Sequence, residues 1–360
     1  MKRKIKIAIF VHGLSGGVGQ VLLNYFSHMP DDYDLDLITM YVESDKLVSE
    51  FKQHGFNIIK VPSKSKSIIK NFYAIHKLLN RKKYDIAYAN MTLTNFFPLF
   101  IAKMCGVKVR ISHSHLAGDA TLYSKLLGFL TRKASTEQLA CGHKAGQFLY
   151  GQDKFKVLRN AIDLKKYTFN LLTRDRIRRS LGIGDNTIVI GNVGRFSKQK
   201  NHLYLLKIFK AYHEKNPNSI LMLVGDGELK NEILKEIKVL NLQKSVKMLG
   251  EVNNVNELLQ AMDIFLLPSL FEGLSLAVVE AEAAGLPCIL SNTVSKESRI
   301  TSNVAFLPLC KDISLWEKTL EQNSKNPRMD ETECFRKAGY DINNEAIKFD
   351  SYLKYLVESR

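Results

Sequence analysis

Short apolar runs rich in β-branched residues alternate with helical patterns along almost the whole chain, and this alternation limits the fold more than any other feature. Strands are expected at 5–11, 35–40, 57–61, 86–90 and 107–113, with helices at 18–27, 45–54, 66–79 and 95–105 between them. The second half repeats the scheme, with strands at 187–193, 220–224, 246–249, 264–267 and 287–290 and helices at 202–214, 228–240, 255–262 and 276–284. Strand–helix–strand repetition implies parallel sheets covered by helices on both faces. Because 360 residues exceed what one core ordinarily holds, two such runs predict an α/β chain of two doubly wound Rossmann-like domains facing across a cleft. The boundary is expected between 163 and 183, where Asn160-Ala161-Ile162-Asp163 closes the first run and a stretch rich in Lys165, Lys166, Arg174, Arg176, Arg178 and Arg179 follows. Ligands of open α/β sheets sit outside the carboxyl ends of the strands, so chemistry is sought in loops that follow strands.

Composition narrows the partners. Of 52 basic and 36 acidic residues, residues 1–165 hold 25 and 12, so most of the net charge of +16 lies in the first half. That half is the one expected to face something anionic. The five cysteines, Cys105, Cys141, Cys288, Cys310 and Cys334, are odd in number and widely spaced, which argues against a disulfide framework or zinc site and for a reducing compartment. Lys2, Arg3, Lys4 and Lys6 precede an apolar stretch, but only Ile7 to Val11 are continuously apolar before His12 and Gly13. A signal peptide needs about 7–15 apolar residues, so the segment reads as a buried strand entering a glycine loop. No segment approaches the roughly 20 apolar residues of a membrane span.

Four loops carry candidate chemistry. Gly13, Gly16, Gly17 and Gly19 form the first, suited to letting backbone approach an anion beside a helix N-terminus, although a tight strand-to-helix turn would use the same residues. It fits neither the dinucleotide fingerprint, for want of a third glycine, nor a P-loop, for want of Gly-Lys-Ser/Thr. The second is Ser112-His113-Ser114-His115, whose two histidines point the same way along a strand and can bond a substrate hydroxyl or carry a proton. The third, Gly194 to Asn201, offers Arg195 as a bidentate diphosphate ligand and Lys200 as a point charge, with a basic surface loop as the plainer reading. The fourth is the strongest. Pro268 to Ser275 carries Glu272 into a helix whose first-turn amides suit an anion, and Glu280 lies inside an otherwise apolar helical run. Glu282 is expected to face solvent.

Together, Glu272-x7-Glu280, Gly194-Arg195 with Lys200, Val224-Gly225-Asp226-Gly227 and Gly16-Gly17 resemble the retaining glycosyltransferases of family 4, with the GT-B fold. Ser112–His115, Asn160–Asp163 and Ala338-Gly339-Tyr340-Asp341-Ile342 resemble the branch that builds capsular polysaccharides and exopolysaccharides. The resemblance implies an acceptor-binding domain over 1–165, a nucleotide-sugar-binding domain over 166–340, and a final helix at 341–360 packing back on the first. It implies transfer of a hexose or N-acetylhexosamine from a UDP-sugar to a lipid-linked saccharide. Arg195 and Lys200 would hold the diphosphate and Glu280 the ribose hydroxyls. Glu272 would face the donor sugar beside the amides of Gly273, Leu274 and Ser275. Backbone near Glu251 and Val252 would meet the base, Gly16 and Gly17 would close over the donor, and His113 or His115 would contact the sugar.

No metal or other cofactor is expected, because two cations and a helix N-terminus can stabilise a departing diphosphate, and Asp32-Tyr33-Asp34 and Asp34-Leu35-Asp36 match a D-x-D metal pattern in letters only. From Lys60 to Lys83 there are eight cations and no acid, interleaved with Ile68, Ile69, Phe72, Ile75, Leu78 and Leu79. Such a helix can lie on an anionic membrane, and it can equally pack its apolar stripe on a sheet. The expected setting is cytoplasmic, at the inner face of the cell membrane. Nucleic acid is not expected, for want of any binding module. The alternatives are a non-catalytic sugar-nucleotide or glycan-binding protein of the same fold, and a nucleotide-dependent oxidoreductase using the first glycine loop.

Overall fold

A computed structural model describes residues 3–14, 16–42, 45–118, 121–152 and 154–360. Contacts divide the chain into two units, Met1–Ile162 with Gly339–Arg360, and Asp163–Ala338.

The first unit runs β1 (Ile5–Leu14), α1 (Gly16–Ser27), β2 (Tyr33–Val42), α2 (Asp45–Gln53), β3 (Phe56–Lys60), α3 (Ile68–Lys82), β4 (Ile86–Ala89), α4 (Phe96–Met104), β5 (Val109–Ser114), α5 (Leu122–Ala134), β6 (Glu137–Ala140), α6 (His143–Tyr150) and β7 (Lys156–Val157). Its strands form a parallel sheet in the order β3-β2-β1-β4-β5-β6-β7. Strand order reverses between β1 and β4, and that is where doubly wound sheets bind ligands.

The second unit runs α7 (Leu164–Tyr167), α8 (Leu171–Ser180), β8 (Ile188–Val193), α9 (His202–Lys215), β9 (Ser219–Val224), α10 (Lys230–Val239), β10 (Val246–Met248), α11 (Val255–Ala261), β11 (Ile264–Leu267), α12 (Leu276–Ala283), β12 (Cys288–Ser291), β13 (Val304–Leu307), α13 (Ser314–Asn323) and α14 (Thr332–Lys337). Its parallel order is β10-β9-β8-β11-β12-β13, reversing between β8 and β11. Both faces of this sheet are covered. Phe265 and Leu267 enter one core cluster, whereas Ile264 and Leu266 enter another, the two-residue period of a strand with apolar layers above and below.

The last helix, α15 (Ile342–Glu358), belongs to the first unit. Phe349 meets Tyr25 edge-on at 5.4 Å, and the Tyr33 hydroxyl donates to Asp350 Oδ1 at 2.6 Å. The motifs at 160–163 and 338–342 meet here: Ile162 N donates to Tyr340 O, and Ile342 N donates to Ile162 O, both at 3.0 Å.

Several expectations need correction. The first glycine segment is a junction rather than a loop: β1 extends to Leu14 and α1 begins at Gly16, because burial of Val21, Leu22, Tyr25 and Phe26 outweighs the helix cost of glycine. Ser15 lies outside the described residues. The boundary itself falls at Asp163, within the expected 163–183 window, and the basic stretch after it is helical. It forms α7 and α8, where Arg174 reaches Asp263 at 2.5 Å and buried Arg178 reaches it at 3.3 Å. Glu282 does not face solvent. It is 1% exposed, and its Oε2 accepts from Ile300 N, Thr301 N and Thr301 Oγ1 at 3.1, 2.9 and 2.9 Å. The helix α12 is enclosed beyond one stripe, so a position two residues past Glu280 turns inward, where three donors make the carboxylate tolerable.

Candidate active site

In the second unit, four strand-end loops are laced together by backbone bonds. Gly194 N donates to Val224 O at 2.9 Å, Phe196 N to Asp226 O at 2.9 Å, Gly225 N to Gly250 O at 2.9 Å, and Leu270 N to Gln199 O at 2.8 Å. Gly225, at φ 136°, sits so close to the Gly194 carbonyl that a Cβ would collide with it. The loops after β8 and β11, which flank the reversal of strand order, are further tied by Asn201 Nδ2 to Pro268 O at 3.1 Å and Gln199 Nε2 to Phe271 O at 3.0 Å.

This lacing brings Lys200 to Glu272. Lys200 Nζ stands 2.6 Å from Glu272 Oε1, with side chains only 15% and 10% exposed. Ser269 Oγ donates to the same oxygen at 3.3 Å. Glu272 is held by its backbone as well, since its carbonyl accepts from Ser295 N at 3.1 Å. Gly273 and Leu274 follow, and Ser275 begins α12 with no side-chain cap, so the first-turn amides are left for another acceptor. Glu280 lies one turn into α12. Its Oε1 accepts from the Tyr167 hydroxyl at 2.8 Å, and burial pushes its carboxyl up to about 7 against the lowering effect of that bond. Arg195 is not joined to this cluster: its Nε donates to Glu228 Oε2 at 3.1 Å, both side chains being exposed. Glu251 is exposed and Val252 half-buried against the core, in the loop after β10 that Gly225 N holds.

Tyr167 and Glu228 escaped sequence reasoning. Tyr167 lies 113 residues from its partner, on a four-residue helix with no chemical motif of its own. Glu228 directly follows Val224-Gly225-Asp226-Gly227, so only its place beside a recognised motif could have flagged it.

In the first unit, the histidines lie at the end of β5, whose sheet neighbour β4 borders the reversal of strand order. The two histidines share a side, with ring centroids 3.9 Å apart, but their surroundings differ. His113 is wholly buried, its Nδ1 2.7 Å from the Tyr88 hydroxyl, and its Nε2 has no partner. His115 is half-buried just beyond the strand, its Nε2 2.9 Å from Asn90 Oδ1. Asn90 Nδ2 lies 3.4 Å from Tyr88 O, and with the amide assigned in that sense Oδ1 is the atom facing the ring. An acceptor there requires a proton on Nε2, leaving Nδ1 as a bare lone pair. Burial holds His115 down at about 3 and His113 well below the ordinary histidine range. Both rings are therefore neutral at physiological pH. Gly16 and Gly17 open α1 at the end of β1.

Among the described residues, no three or more His, Cys, Asp or Glu side chains gather as a metal site. Asp36 of the D-x-D pattern is instead buried and structural, bound by Lys82 Nζ and Asn57 Nδ2 at 2.6 and 2.7 Å and by the Tyr84 hydroxyl. All five cysteines are thiols. No helix among the described residues is long and apolar enough to cross a membrane.

Comparison with known proteins fits this architecture. The family model for group 1 glycosyl transferases matches residues 173–341. The putative glycosyltransferase EpsF of Bacillus subtilis (strain 168) is 32% identical over 323 residues, covering 85% of this chain and 84% of that one. The UDP-Gal:alpha-D-GlcNAc-diphosphoundecaprenol alpha-1,3-galactosyltransferase of Escherichia coli is 33% identical over 312 residues, covering 80% of each. Among solved structures, Anabaena Alr3699/HepE in complex with UDP and glucose matches with a TM-score of 0.77 over 99% of this chain and 100% of that one, at 17% identity. WaaG, a glycosyltransferase involved in lipopolysaccharide biosynthesis, matches at 0.68 over 98% of each, at 16% identity. The structural likenesses show the GT-B fold. The chain belongs to the group 1 glycosyltransferases.

Proposed function

We propose that the protein moves a hexose or N-acetylhexosamine from a UDP-sugar to a lipid-linked saccharide, with retention and without a metal, in capsule or exopolysaccharide synthesis. The observation that carries this reading is the Lys200–Glu272 pair at the strand-order reversal of the second unit, in the loop that leads into the uncapped start of α12, the helix that carries Glu280. The Escherichia coli relative, whose name specifies a UDP-sugar donor and a diphosphoundecaprenol-linked acceptor, supports the donor and acceptor classes.

In this reading Lys200 and Arg195 take the diphosphate, Arg195 exchanging Glu228 for phosphate oxygens. The amides of Gly273, Leu274 and Ser275 add to them. Glu280 accepts from the ribose hydroxyls while Tyr167 holds its other oxygen, and backbone at Glu251 and Val252 meets the base. Glu272 faces the donor sugar. In the first unit, His115 accepts from a sugar hydroxyl through Nδ1, His113 supports it from beneath, and Gly16 and Gly17 give backbone access to the donor. The bond from the sugar's anomeric carbon to the diphosphate breaks, the acceptor oxygen bonds that carbon from the same face, and its proton passes to the departing diphosphate. Fixed positive charge lowers the barrier by stabilising the leaving group. A lipid-linked acceptor places the enzyme at the inner face of the cell membrane, with the basic first unit, including the cations from Lys60 to Lys83, toward anionic lipid.

A thermal-shift panel of UDP-, GDP- and dTDP-sugars tests the donor. A ligand at 100 times its Kd stabilises by about 2.7 kcal/mol, so UDP-sugars are expected to raise Tm by several degrees, and a panel without that response overturns the assignment. Glu272→Ala and Arg195→Ala are each expected to abolish transfer to a lipid-linked acceptor while circular dichroism is retained. Full activity in both refutes the site.

A further inference from the structure

The helix α5 is built inside out. Its buried side is Ser124, Leu127, Gly128, Thr131 and Ala134. Its outward side is Leu122, Tyr123, Leu126, Phe129 and Leu130, with Leu122 87% and Tyr123 65% exposed. A surface helix of a globular protein ordinarily does the reverse. The inversion is firmly held. A Cβ at Gly128 would collide with the Leu149 carbonyl oxygen, so α5 lies against α6 at backbone distance. The buried hydroxyls are satisfied locally, Ser124 Oγ donating to Thr121 O at 2.9 Å and Thr131 Oγ1 to Leu127 O at 2.8 Å. Thr121 and Ser124 also close a capping box at the start of the helix. Apart from Leu127, small residues dock α5, and five large apolar ones are left toward water.

The neighbouring helix α4 adds exposed Phe100 and Met104. Across α3, α4 and α5 there are eight cations, Lys103, Lys125 and Lys133 among them, and no acidic residue. An apolar ridge set in uniform positive charge suits one kind of occupant. A second copy of the chain would press like charge against like charge, whereas an anionic bilayer receives the ridge and attracts its surround.

We propose that α5, flanked by α4, inserts its apolar face into the interfacial layer of an anionic membrane, with Lys103, Lys125 and Lys133 among the phosphates. The proposal rests on the lipid-linked acceptor reading for its purpose, and it moves the membrane contact from the basic helix α3 to α5. Tyr123 and Phe129 sit at headgroup depth, as amphipathic and aromatic rings do at such boundaries.

The full chain is sedimented with vesicles of phosphatidylcholine alone and with 30% phosphatidylglycerol. Each cation near an anionic surface gains about fivefold in partitioning, so binding is expected to be at least tenfold stronger to the anionic vesicles. Leu126→Ser with Phe129→Ser is expected to cut that binding at least tenfold, with Tm and circular dichroism unchanged, while Lys70→Gln with Lys77→Gln in α3 lowers it less. Binding that survives the α5 double variant overturns the proposal, as does a wild-type chain that stays in the supernatant, or a wild-type dimer that the variant converts to monomer. Transfer to a detergent-dispersed acceptor is expected to be unchanged by the α5 variant. If the wild type transfers from no UDP-sugar, the functional reading fails, and the vesicle result still decides insertion.

Discussion

Replacing Asn90 by aspartate puts a carboxylate where the structure places an amide oxygen 2.9 Å from His115 Nε2. In the native protein, burial holds the imidazole down at about 3, and the Asn90 amide keeps the proton on Nε2. Two unit charges roughly 4 Å apart are worth about 4 kcal/mol at the effective dielectric near a protein surface. At about 1.4 kcal/mol for each tenfold change in ionisation, Asn90→Asp lifts His115 from about 3 to about 6. The ring becomes an imidazolium within the working range, and Nδ1 changes from acceptor to donor. Selective 15N-histidine labelling reads this directly, with His115→Gln identifying one resonance pair among nine histidines. The wild type should show protonated Nε2 and bare Nδ1 from pH 5 to 8. The variant should titrate near 6, and its transfer rate should fall on the acid side of that point where the wild type does not. A proton on Nδ1 in the wild type, or a variant ring still neutral at pH 4, would refute the tautomer assignment whatever the enzyme's activity.

Lys200→Met strands Glu272, whose side chain is only 10% exposed, without its cation. Breaking such a pair on one side costs on the order of 3 kcal/mol, and urea denaturation should show the loss, with Glu272→Gln in the same chain restoring part of it. Glu282 has its carboxyl pushed up to about 7 by burial. A raised acid stabilises the fold fully below its ordinary range, near 4.5, and that contribution is lost as pH rises through 7. Glu282→Gln should therefore leave stability at pH 5 nearly unchanged and improve it at pH 8 by about 2 to 3 kcal/mol, read from Tm at the two pH values.

What could be read from residue order divides along the range of the interactions involved. Continuous apolar runs such as Ile264 to Leu267 announced strands buried on both faces, because neighbouring side chains must enter opposite cores. The strands β6, β7 and β13 are two to four residues long and carry too little pattern to be seen, so ten strands were expected where the sheets hold seven and six. Lys200 and Glu272 each stood out by chemistry and by position after a strand, but their pairing depends on which loops the strand order makes neighbours. Arg195 and Lys200 were both expected at the diphosphate, and their settings differ: Arg195 is exposed and paired with Glu228, Lys200 largely buried and paired with Glu272. Glu282 and α5 went wrong or unseen for the same physical reason. Inferring burial from polarity assumes that a helix hides its apolar face and shows its charged one. Glu282 breaks the assumption because three donors from the 300–301 turn reward an inward carboxylate. The helix α5 breaks it in the opposite sense, because Gly128 lets the backbone approach α6 so closely that, Leu127 aside, small residues fill the space beneath. A sheet-packing helix has its apolar face enclosed by its own chain. One that docks through glycine, serine and threonine leaves Leu122, Leu126 and Phe129 to be enclosed by something else.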